Sequence, residues 1–211
     1  MPLFDVSMPI KRRMPTYPGD PKVEIKSVCR IKDGDRLNLS GLCMGTHTGT
    51  HVDPPYHFEE AGLKADQLPL ELLIGPAKVF ELKVLEKITA SDLKELKMEG
   101  FSRVLFKTRN SELLKERGFR RNFVYLTGDA AQYLADQGIK LVGFDYLSIE
   151  EYKNKASPAH HILLSRGIPV IEGLILEGIE AGEYELICLP LKLEDGDGAP
   201  ARVVLRPLFS C

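Results

Sequence analysis

One segment, residues 45–58, constrains this chain more than any other part of its sequence. It reads Gly-Thr-His-Thr-Gly-Thr-His-Val-Asp-Pro-Pro-Tyr-His-Phe and holds three of the chain's five histidines. Its glycines, β-branched residues and paired prolines all oppose a helix, so the segment is predicted to be extended. In an extended chain, alternate side chains share one face. The residues that share this face are His47, Gly49, His51, Asp53 and His57.

This face is predicted to bind a divalent metal ion. Imidazole nitrogen and carboxylate oxygen are the ligands that zinc and similar ions prefer. A straight strand would separate His47 from His51 by about 13 Å, whereas each ligand nitrogen lies about 2 Å from its ion. The chain must therefore bend between them, and Gly49 gives the backbone freedom to bend. The alternative is that these histidines are unrelated, one structural and two exposed.

The rest of the chain predicts a mixed α/β fold, with β-rich ends and a centre in which strands and helices alternate. The predicted strands are residues 23–28, 36–42, 78–85, 103–107, 123–126, 139–145, 170–176, 185–189 and 202–205. The predicted helices are 92–97 after a Ser91 cap, one starting at Asn110 or Ser111 and ending near Gly118, 129–137, and 158–165 after a Ser157 cap. Repeats and polar linkers are absent, so residues 1–211 are predicted to form one domain.

A second group of candidate ligands lies in the C-terminal part of the chain. A helix of about nine residues rises roughly 13 Å, and a returning strand of five residues covers about 16 Å. Because the strand returns about as far as the helix advances, His160 and Glu172 can come close together. A buried glutamate needs a partner, and a metal ion is one. Spacing alone equally allows His160 or His161 to cap or pack the helix, with Glu172 paired to a lysine or arginine.

Composition excludes several classes of function. The net charge of −2 gives no electrostatic basis for a nucleic-acid or anionic-membrane partner. No apolar run reaches the roughly 18 residues of a membrane span. Asp5 also interrupts the continuous apolar run that a signal peptide requires near the N-terminus. A cytoplasmic protein is therefore expected. The four cysteines have no CxxC spacing, so they are predicted to be reduced and mostly buried.

The histidine segment resembles the metal motif of the cyclase family of metal-dependent hydrolases, which includes bacterial kynurenine formamidase (arylformamidase) and isatin hydrolase. The resemblance extends over nearly the whole chain and keeps the family order. Its other parts are residues 17–21, 143–150, 160–161 followed by 172–173, and 196–202. The resemblance implies a swivelling β/β/α fold with a mixed central sheet. It also implies an oligomer, expected to be a homodimer or homotetramer.

The resemblance further implies roles for individual residues. His47, His51 and Asp53 would bind a first metal ion. Asp53 would also contact a second ion, together with His160 and Glu172. His57 would be the catalytic acid–base, and His161 would not be a ligand. The expected cofactor is Zn²⁺, as one or two ions, although these ligand types suit Mn²⁺ and Fe²⁺ as well.

The expected function is hydrolysis of a small aryl formamide such as N-formylkynurenine by metal-bound hydroxide. A bound divalent ion lowers the pKa of water from about 15.7 towards 7, and the chain has no GxSxG motif for a serine nucleophile. Two alternatives remain: an isatin-hydrolase-like opening of a cyclic amide or lactam, and a non-catalytic metal-binding domain. Asp145 either supports the site or caps a helix or turn. Lys107 and Arg202 either hold a substrate carboxylate or, as we prefer, pair with acidic side chains.

Overall fold

The computed structural model describes residues 2–116 and 118–208. The strands are β1 Phe4–Asp5, β2 Glu24–Cys29, β3 Leu39–Cys43, β4 His51–Asp53, β5 Ile74–Glu81, β6 Lys87–Ile88, β7 Arg103–Lys107, β8 Tyr125–Leu126, β9 Leu141–Phe144, β10 Val170–Glu172, β11 Gly182–Pro190 and β12 Ala199–Pro207. The α-helices are α1 Leu70–Leu73, α2 Ala90–Lys94, α3 Asn110–Leu113, α4 Gly128–Asp136 and α5 Pro158–Ser165. Short 3₁₀ turns cover Ile31–Asp33, Pro55–His57 and Ala65–Gln67.

The main sheet closes on itself in a barrel-like ring. Its strands follow the order β12, β11, β5, β7, β9, β10 and β4, and β4 pairs back with the start of β12. The neighbours β5, β7, β9 and β10 are parallel, whereas the remaining pairs in the ring are antiparallel. β1 extends the same edge of β12 that β4 occupies. The predicted mixed α/β fold with a mixed central sheet is therefore confirmed.

Alternation along the central strands creates two apolar cores, one inside the ring and one outside it. In β7, Leu105 belongs to the inner core, while Val104 and Phe106 belong to the outer core. The outer core is covered by α2, α4 and α5, which contribute residues such as Leu134 and Leu163. Full burial of each such side chain stabilises the fold by roughly 1.5–3 kcal/mol. No helix in residues 2–116 or 118–208 has the length and apolar content to cross a bilayer.

Some predicted element boundaries are wrong, and the local backbone explains why. The strand predicted for 170–176 ends at Glu172, because Gly173 has φ of +69° and leaves the extended region. The helix predicted to follow a Ser91 cap starts instead at Ala90, after Thr89. Thr89 and Asp92 bond reciprocally to each other's backbone N–H groups, which is a capping box. The strand predicted for residues 78–85 instead spans Ile74–Glu81.

The β2–β3 hairpin forms a separate two-stranded sheet that is more exposed than the sequence predicted. Its pattern predicted half-buried strands, yet Val28 is 61% exposed and Leu42 is 55% exposed. Cys43, at the end of β3, is also exposed, so the prediction of a mostly buried thiol is wrong for that residue. Cys188 is buried as predicted, and Cys211 lies outside the described residues.

Candidate metal centre

The predicted ligands come from three separate parts of the fold. His51 and Asp53 lie on β4, His160 lies in α5, and Glu172 ends β10. β4 and β10 pair antiparallel, and Glu172 stands directly opposite His51 in the register. Residues directly opposite each other on neighbouring strands present their side chains on the same face. The strand pairing therefore brings the two sequence-predicted ligand groups together.

A tight contact between two glycines shapes the backbone here. Gly49 has φ of +72°, so the bend predicted before β4 is present. A Cβ atom on Gly173 would lie 2.2 Å from the carbonyl oxygen of Gly49, which shows how closely the two segments approach. The Thr50 hydroxyl donates to the Gly173 carbonyl oxygen at 2.6 Å and accepts the Met8 N–H at 2.7 Å. These bonds fix the His47–His51 turn against the end of β10.

Asp53 lies at the centre of the cluster. Its Oδ1 is 2.7 Å from Nδ1 of His47 and 3.2 Å from Nε2 of His51. Its Oδ2 is 3.7 Å from Nε2 of His160 and has no hydrogen-bond partner among the described residues. The side chain is only 1% exposed. A buried carboxylate oxygen without a donor is costly, and a cation at this position would satisfy it.

Glu172 completes the buried side of the cluster. Its Oε2 is 3.5 Å from Nε2 of His51, and its Oε1 is 3.2 Å from Nε2 of His160. Oε1 also accepts the Ile149 N–H at 2.7 Å, which fixes the carboxylate. The prediction that His160 and Glu172 meet is therefore confirmed.

Possible ligand atoms converge at two points that share Asp53. One group contains His51, Asp53 and Glu172, and the other contains His47, Asp53 and His57, with the ligand atoms of each within 4.8 Å of one another. The shared carboxylate gives the geometry in which one residue can bridge two ions. Both groups differ from the sequence prediction: Glu172 replaces His47 beside His51 and Asp53, and His160 belongs to neither group. The second group also includes His57, to which the sequence gave an acid–base role only. The structure places His57 close enough to His47 to be a ligand as well.

His47 and His51 are oriented by contacts of the ring nitrogen that faces away from the cluster. Nδ1–H of His51 donates to the Gly49 carbonyl oxygen at 2.9 Å, which leaves Nε2 to face Asp53 and Glu172 as a lone-pair donor. Nε2 of His47 lies 3.3 Å from a carboxylate oxygen of Asp197. The tautomer of a ligand histidine is set by the bond that its other nitrogen makes.

Electrostatics in the cluster favour positive charge. Burial by itself lowers the pKa of His47, but the carboxylates of Asp53, Asp197 and Glu172 together outweigh burial and raise this pKa to about 9. Burial is opposed in the same way at His51 and His160, whose pKa values are also raised by nearby carboxylates. Burial raises the pKa of Asp53, yet the facing imidazoles bring it well below its ordinary value. A divalent ion can supply the same positive charge in place of these protons.

His57 has the opposite electrostatic character. Burial lowers its pKa below 6.5, and the neighbouring carboxylates reverse only part of that effect. Its ring centroid lies 4.1 Å from that of His47 and 6.1 Å from that of His160. A neutral imidazole beside the cluster can accept a proton near pH 7.

The cluster opens into a cavity of about 300 Å³. Phe58 stacks on the His160 ring, with centroids 4.9 Å apart and planes within 8° of each other. Tyr17, from the predicted 17–21 turn, lines the cavity together with Asp20 and Glu151. The sequence did not single out Phe58 or Asp20, although both adjoin segments that it did identify. The space suffices for a small aromatic molecule against the ring of Phe58.

Asp145 caps a helix and is not in contact with the cluster residues. Its carboxylate accepts N–H groups from Thr108 at 2.7 Å and Ser111 at 3.2 Å, at the start of α3. The hydroxyls of the same two residues also donate to it. Burial raises the pKa of Asp145 to about 6, and these bonds offset only part of that rise. Of its two sequence interpretations, the structure supports capping.

The other residues with open roles form ordinary ion pairs. Nζ of Lys107 lies 3.2 Å from a carboxylate oxygen of Glu81 and also donates to a backbone carbonyl. Arg202 pairs with Asp5 at 2.6 Å. His161 has a half-exposed side chain, and its Nδ1 lies 3.6 Å from a carboxylate oxygen of Glu59; that it is not a ligand stays a prediction.

Sequence reasoning did not identify two individual carboxylates that lie beside the cluster. Asp197 approaches His47, and Glu150 approaches Nδ1 of His160 at 3.4 Å. Both lie within segments 143–150 and 196–202, which were noted only as parts of a family pattern. The flanking glycines of Asp197 were the one local signal of a shaped loop. Which histidine each carboxylate faces depends on the tertiary fold.

Substituting Gly198 with alanine is expected to reduce metal affinity at His47 by about 10²-fold, the upper range for disturbing a residue that supports a metal ligand. A Cβ atom there would lie 2.4 Å from Cε1 and 2.7 Å from Nε2 of His47, so the imidazole must move. Chelator competition would measure the affinity. Gly182→Ala is the matched control, since its Cβ meets nothing closer than 3.8 Å. Equal affinities in the two variants would contradict the assigned position of His47.

Comparisons with known proteins agree with this geometry. Residues 4–151 match the protein family described as Putative cyclase. The kynurenine formamidase of Bacillus cereus is 35% identical over 205 residues, which cover 97% of each chain. A solved structure titled as a potential metal-dependent hydrolase with cyclase activity is 40% identical, with a TM-score of 0.84 over 97% of this chain and 96% of that one. Isatin hydrolase A from Labrenzia aggregata, at 22% identity, has the same fold, with a TM-score of 0.84 over 97% and 93% of the two chains.

Proposed function

This chain belongs to the cyclase family of metal-dependent hydrolases, and from that membership we propose that it hydrolyses a small aryl formamide such as N-formylkynurenine. At a coarser level it is a metal-dependent amidohydrolase that cleaves carbon–nitrogen bonds other than peptide bonds. The observation that carries the proposal is the position of His57 beside three further histidines and two buried carboxylates, which converge at the wall of a cavity.

The cluster fits a divalent metal cofactor. From the family resemblance, His47, His51 and Asp53 would hold a first ion, and Asp53 would reach a second ion with His160 and Glu172. The ligand atoms that lie nearest one another group differently, with Glu172 beside His51 and with His57 beside His47. The unpartnered Oδ2 of Asp53, and the Nε2 of His51 that faces Asp53 and Glu172, support a bound cation here. When bound, such ions polarise an amide carbonyl and acidify a coordinated water. We propose Zn²⁺, because it prefers nitrogen and carboxylate oxygen ligands of this kind.

His57 would move the proton that hydrolysis requires. Its lowered pKa keeps Nδ1 or Nε2 free to accept a proton from the attacking water at neutral pH. As the new carbon–oxygen bond forms and the carbon–nitrogen bond breaks, the same imidazole would return that proton to the leaving nitrogen. The products of formamide hydrolysis are then formate and an aryl amine. Pro54 and Pro55 fix the turn that carries His57, so the imidazole stays beside the cluster.

The cavity walls favour a flat aromatic substrate. The Phe58 ring is held by its stack on His160, and the Tyr17 ring is held edge-on against Phe119 at 5.1 Å. Rings fixed in this way can contact an aryl group without further loss of side-chain freedom. The substrate carbonyl would then point towards Asp53 and the histidines.

A hydrolysis screen on protein of measured zinc content tests the proposed substrate. N-formylkynurenine, formanilide and isatin would be compared at equal enzyme concentration. We expect formate release from the two formamides, with a higher kcat/KM than for isatin. Activity on isatin alone would favour the cyclic-amide alternative and overturn the formamide proposal. Loaded protein that is inactive on all three would overturn the formamide proposal and leave only the reaction class.

We also propose that the chain assembles as a homodimer through the β2–β3 hairpin. The hairpin stands apart from the main sheet, and Val28, Leu39 and Leu42 are each at least 50% exposed. Exposed apolar side chains concentrated on one hairpin are typical of an interaction site. Light scattering should give twice the 23.6 kDa chain mass. A monomer mass at micromolar concentration would contradict this assembly.

A further inference from the structure

Glu150 is a buried carboxylate whose side-chain hydrogen bonds are directed to the helix that carries His160. It is 6% exposed and lies in the loop after β9. Its Oε2 accepts the N–H groups of Ala159 at 3.0 Å and His160 at 3.3 Å, in the first turn of α5. The same oxygen lies 3.4 Å from Nδ1 of His160, within ion-pair distance but outside hydrogen-bond geometry, and this buried nitrogen has no hydrogen-bond partner among the described residues. Glu150's own N–H donates to the Ser148 hydroxyl at 3.1 Å, which holds the loop.

The two nitrogens of the His160 ring face different carboxylates. Nε2 faces the cluster, 3.2 Å from Glu172 and 3.7 Å from Asp53. Nδ1 faces away from the cluster, towards Glu150. A neutral imidazole carries its proton on one nitrogen, and the negative charge of a carboxylate 3.4 Å from Nδ1 favours the proton on that nitrogen. The lone pair of Nε2 is then directed at the position between Asp53 and Glu172.

We propose that Glu150 is a positioning residue for the second metal site, where it holds the proton on Nδ1 of His160 and so presents Nε2 to the ion. The inference rests on the proposed function, because it assumes that His160 is a ligand. Glu150 differs from the acceptor beside His51, which is the neutral carbonyl of Gly49. A carboxylate acceptor makes the ligand imidazole more basic than a carbonyl does. Glu150 therefore strengthens the metal–nitrogen bond as well as fixing the ring.

Glu150 also caps α5, and the test must separate the two roles. The amide oxygen of Gln can accept the same N–H groups of Ala159 and His160, so E150Q retains the cap while removing the negative charge. Glu151→Gln is the matched control, since it removes a charge from the next residue in the loop. Glu151 is exposed and lies outside the contacts of the His160 ring.

Zinc affinity and the His160 proton are the two quantities to measure. In E150Q, competition with a chromophoric chelator should show one of two bound ions held about 10- to 100-fold more weakly. The metal-free Tm should change little in either variant. On zinc-loaded wild-type protein, long-range ¹H–¹⁵N spectra should place the His160 proton on Nδ1, and its resonance should move in E150Q. E151Q should retain both zinc affinities.

Three results would overturn this inference, and they are distinguishable. Equal zinc affinity in E150Q with an unmoved His160 resonance would show that the carboxylate does not support the ligand. A lower metal-free Tm with equal weakening of both ions would show a structural cap only. Wild-type protein that binds no divalent ion would overturn the proposed function itself, together with the inference.

Discussion

Replacing Asp53 with asparagine is expected to abolish tight metal binding and to lower kcat/KM by about 10³-fold or more, which is about 4 kcal/mol of lost transition-state stabilisation. Asp53 is the residue that both converging ligand groups share. Its two oxygens face His47 and His51 on one side and His160 on the other. An asparagine is nearly the same size but offers one neutral oxygen, so neither ion would retain its shared negative ligand.

Metal content by mass spectrometry and steady-state kinetics would measure both effects. Asp197→Asn is the matched control, because it makes the same chemical change at a half-exposed carboxylate beside His47. Asp197 contacts only the outward nitrogen of that histidine, so its loss should cost about tenfold in affinity, the lower range for an outer partner of a ligand. An Asp53→Asn protein that keeps two ions and its activity would refute the shared-ligand assignment.

Substituting His57 with alanine is expected to lower kcat by about 10²–10⁴-fold, the usual contribution of a positioned proton donor and acceptor. Burial keeps this imidazole neutral near pH 7, so it is ready to accept a proton. Its ring lies against that of His47, and the 3₁₀ turn Pro55–His57 fixes it there. The metal content of the variant should equal that of the wild type.

Metal content decides between the two roles that the geometry of His57 allows. His57 is near enough to His47 and Asp53 to be a ligand, so loss of one ion in the variant would make it one. His161→Ala is the control, because it removes an imidazole outside the converging ligand atoms. That control should retain both its ions and its kcat. Unchanged kcat in the His57 variant would exclude the acid–base role.

The parts of the fold that local sequence patterns control were predictable. The apolar run at β7 gave its bounds correctly, and Pro158 with Gly167 correctly bounded α5. The end of β10 was not predictable from its apolar pattern, because Gly173 turns there to lie against Gly49. The exposed hairpin was not predictable either. Alternation indicates an apolar face and does not say whether this chain or a partner covers it.

The candidate site also has a part that was predictable from the sequence and a part that was not. His47, His51 and Asp53 lie within seven residues, so their types and the bend at Gly49 sufficed to group them. His160 and Glu172 could be paired because a helix and a returning strand of similar length separate them. The supporting carboxylates could not be assigned in that way. Asp197 is 150 residues from His47, and only closure of the ring between β12 and β4 brings them together.

The most direct test of the metal site is anomalous X-ray scattering at the zinc edge from crystals of the zinc-loaded protein. The family assignment predicts one peak among His47, His51 and Asp53, and a second among Asp53, His160 and Glu172, each about 2 Å from its ligand atoms. Crystals that give no zinc peak within reach of Asp53, or a peak bound elsewhere on the chain, would contradict the account.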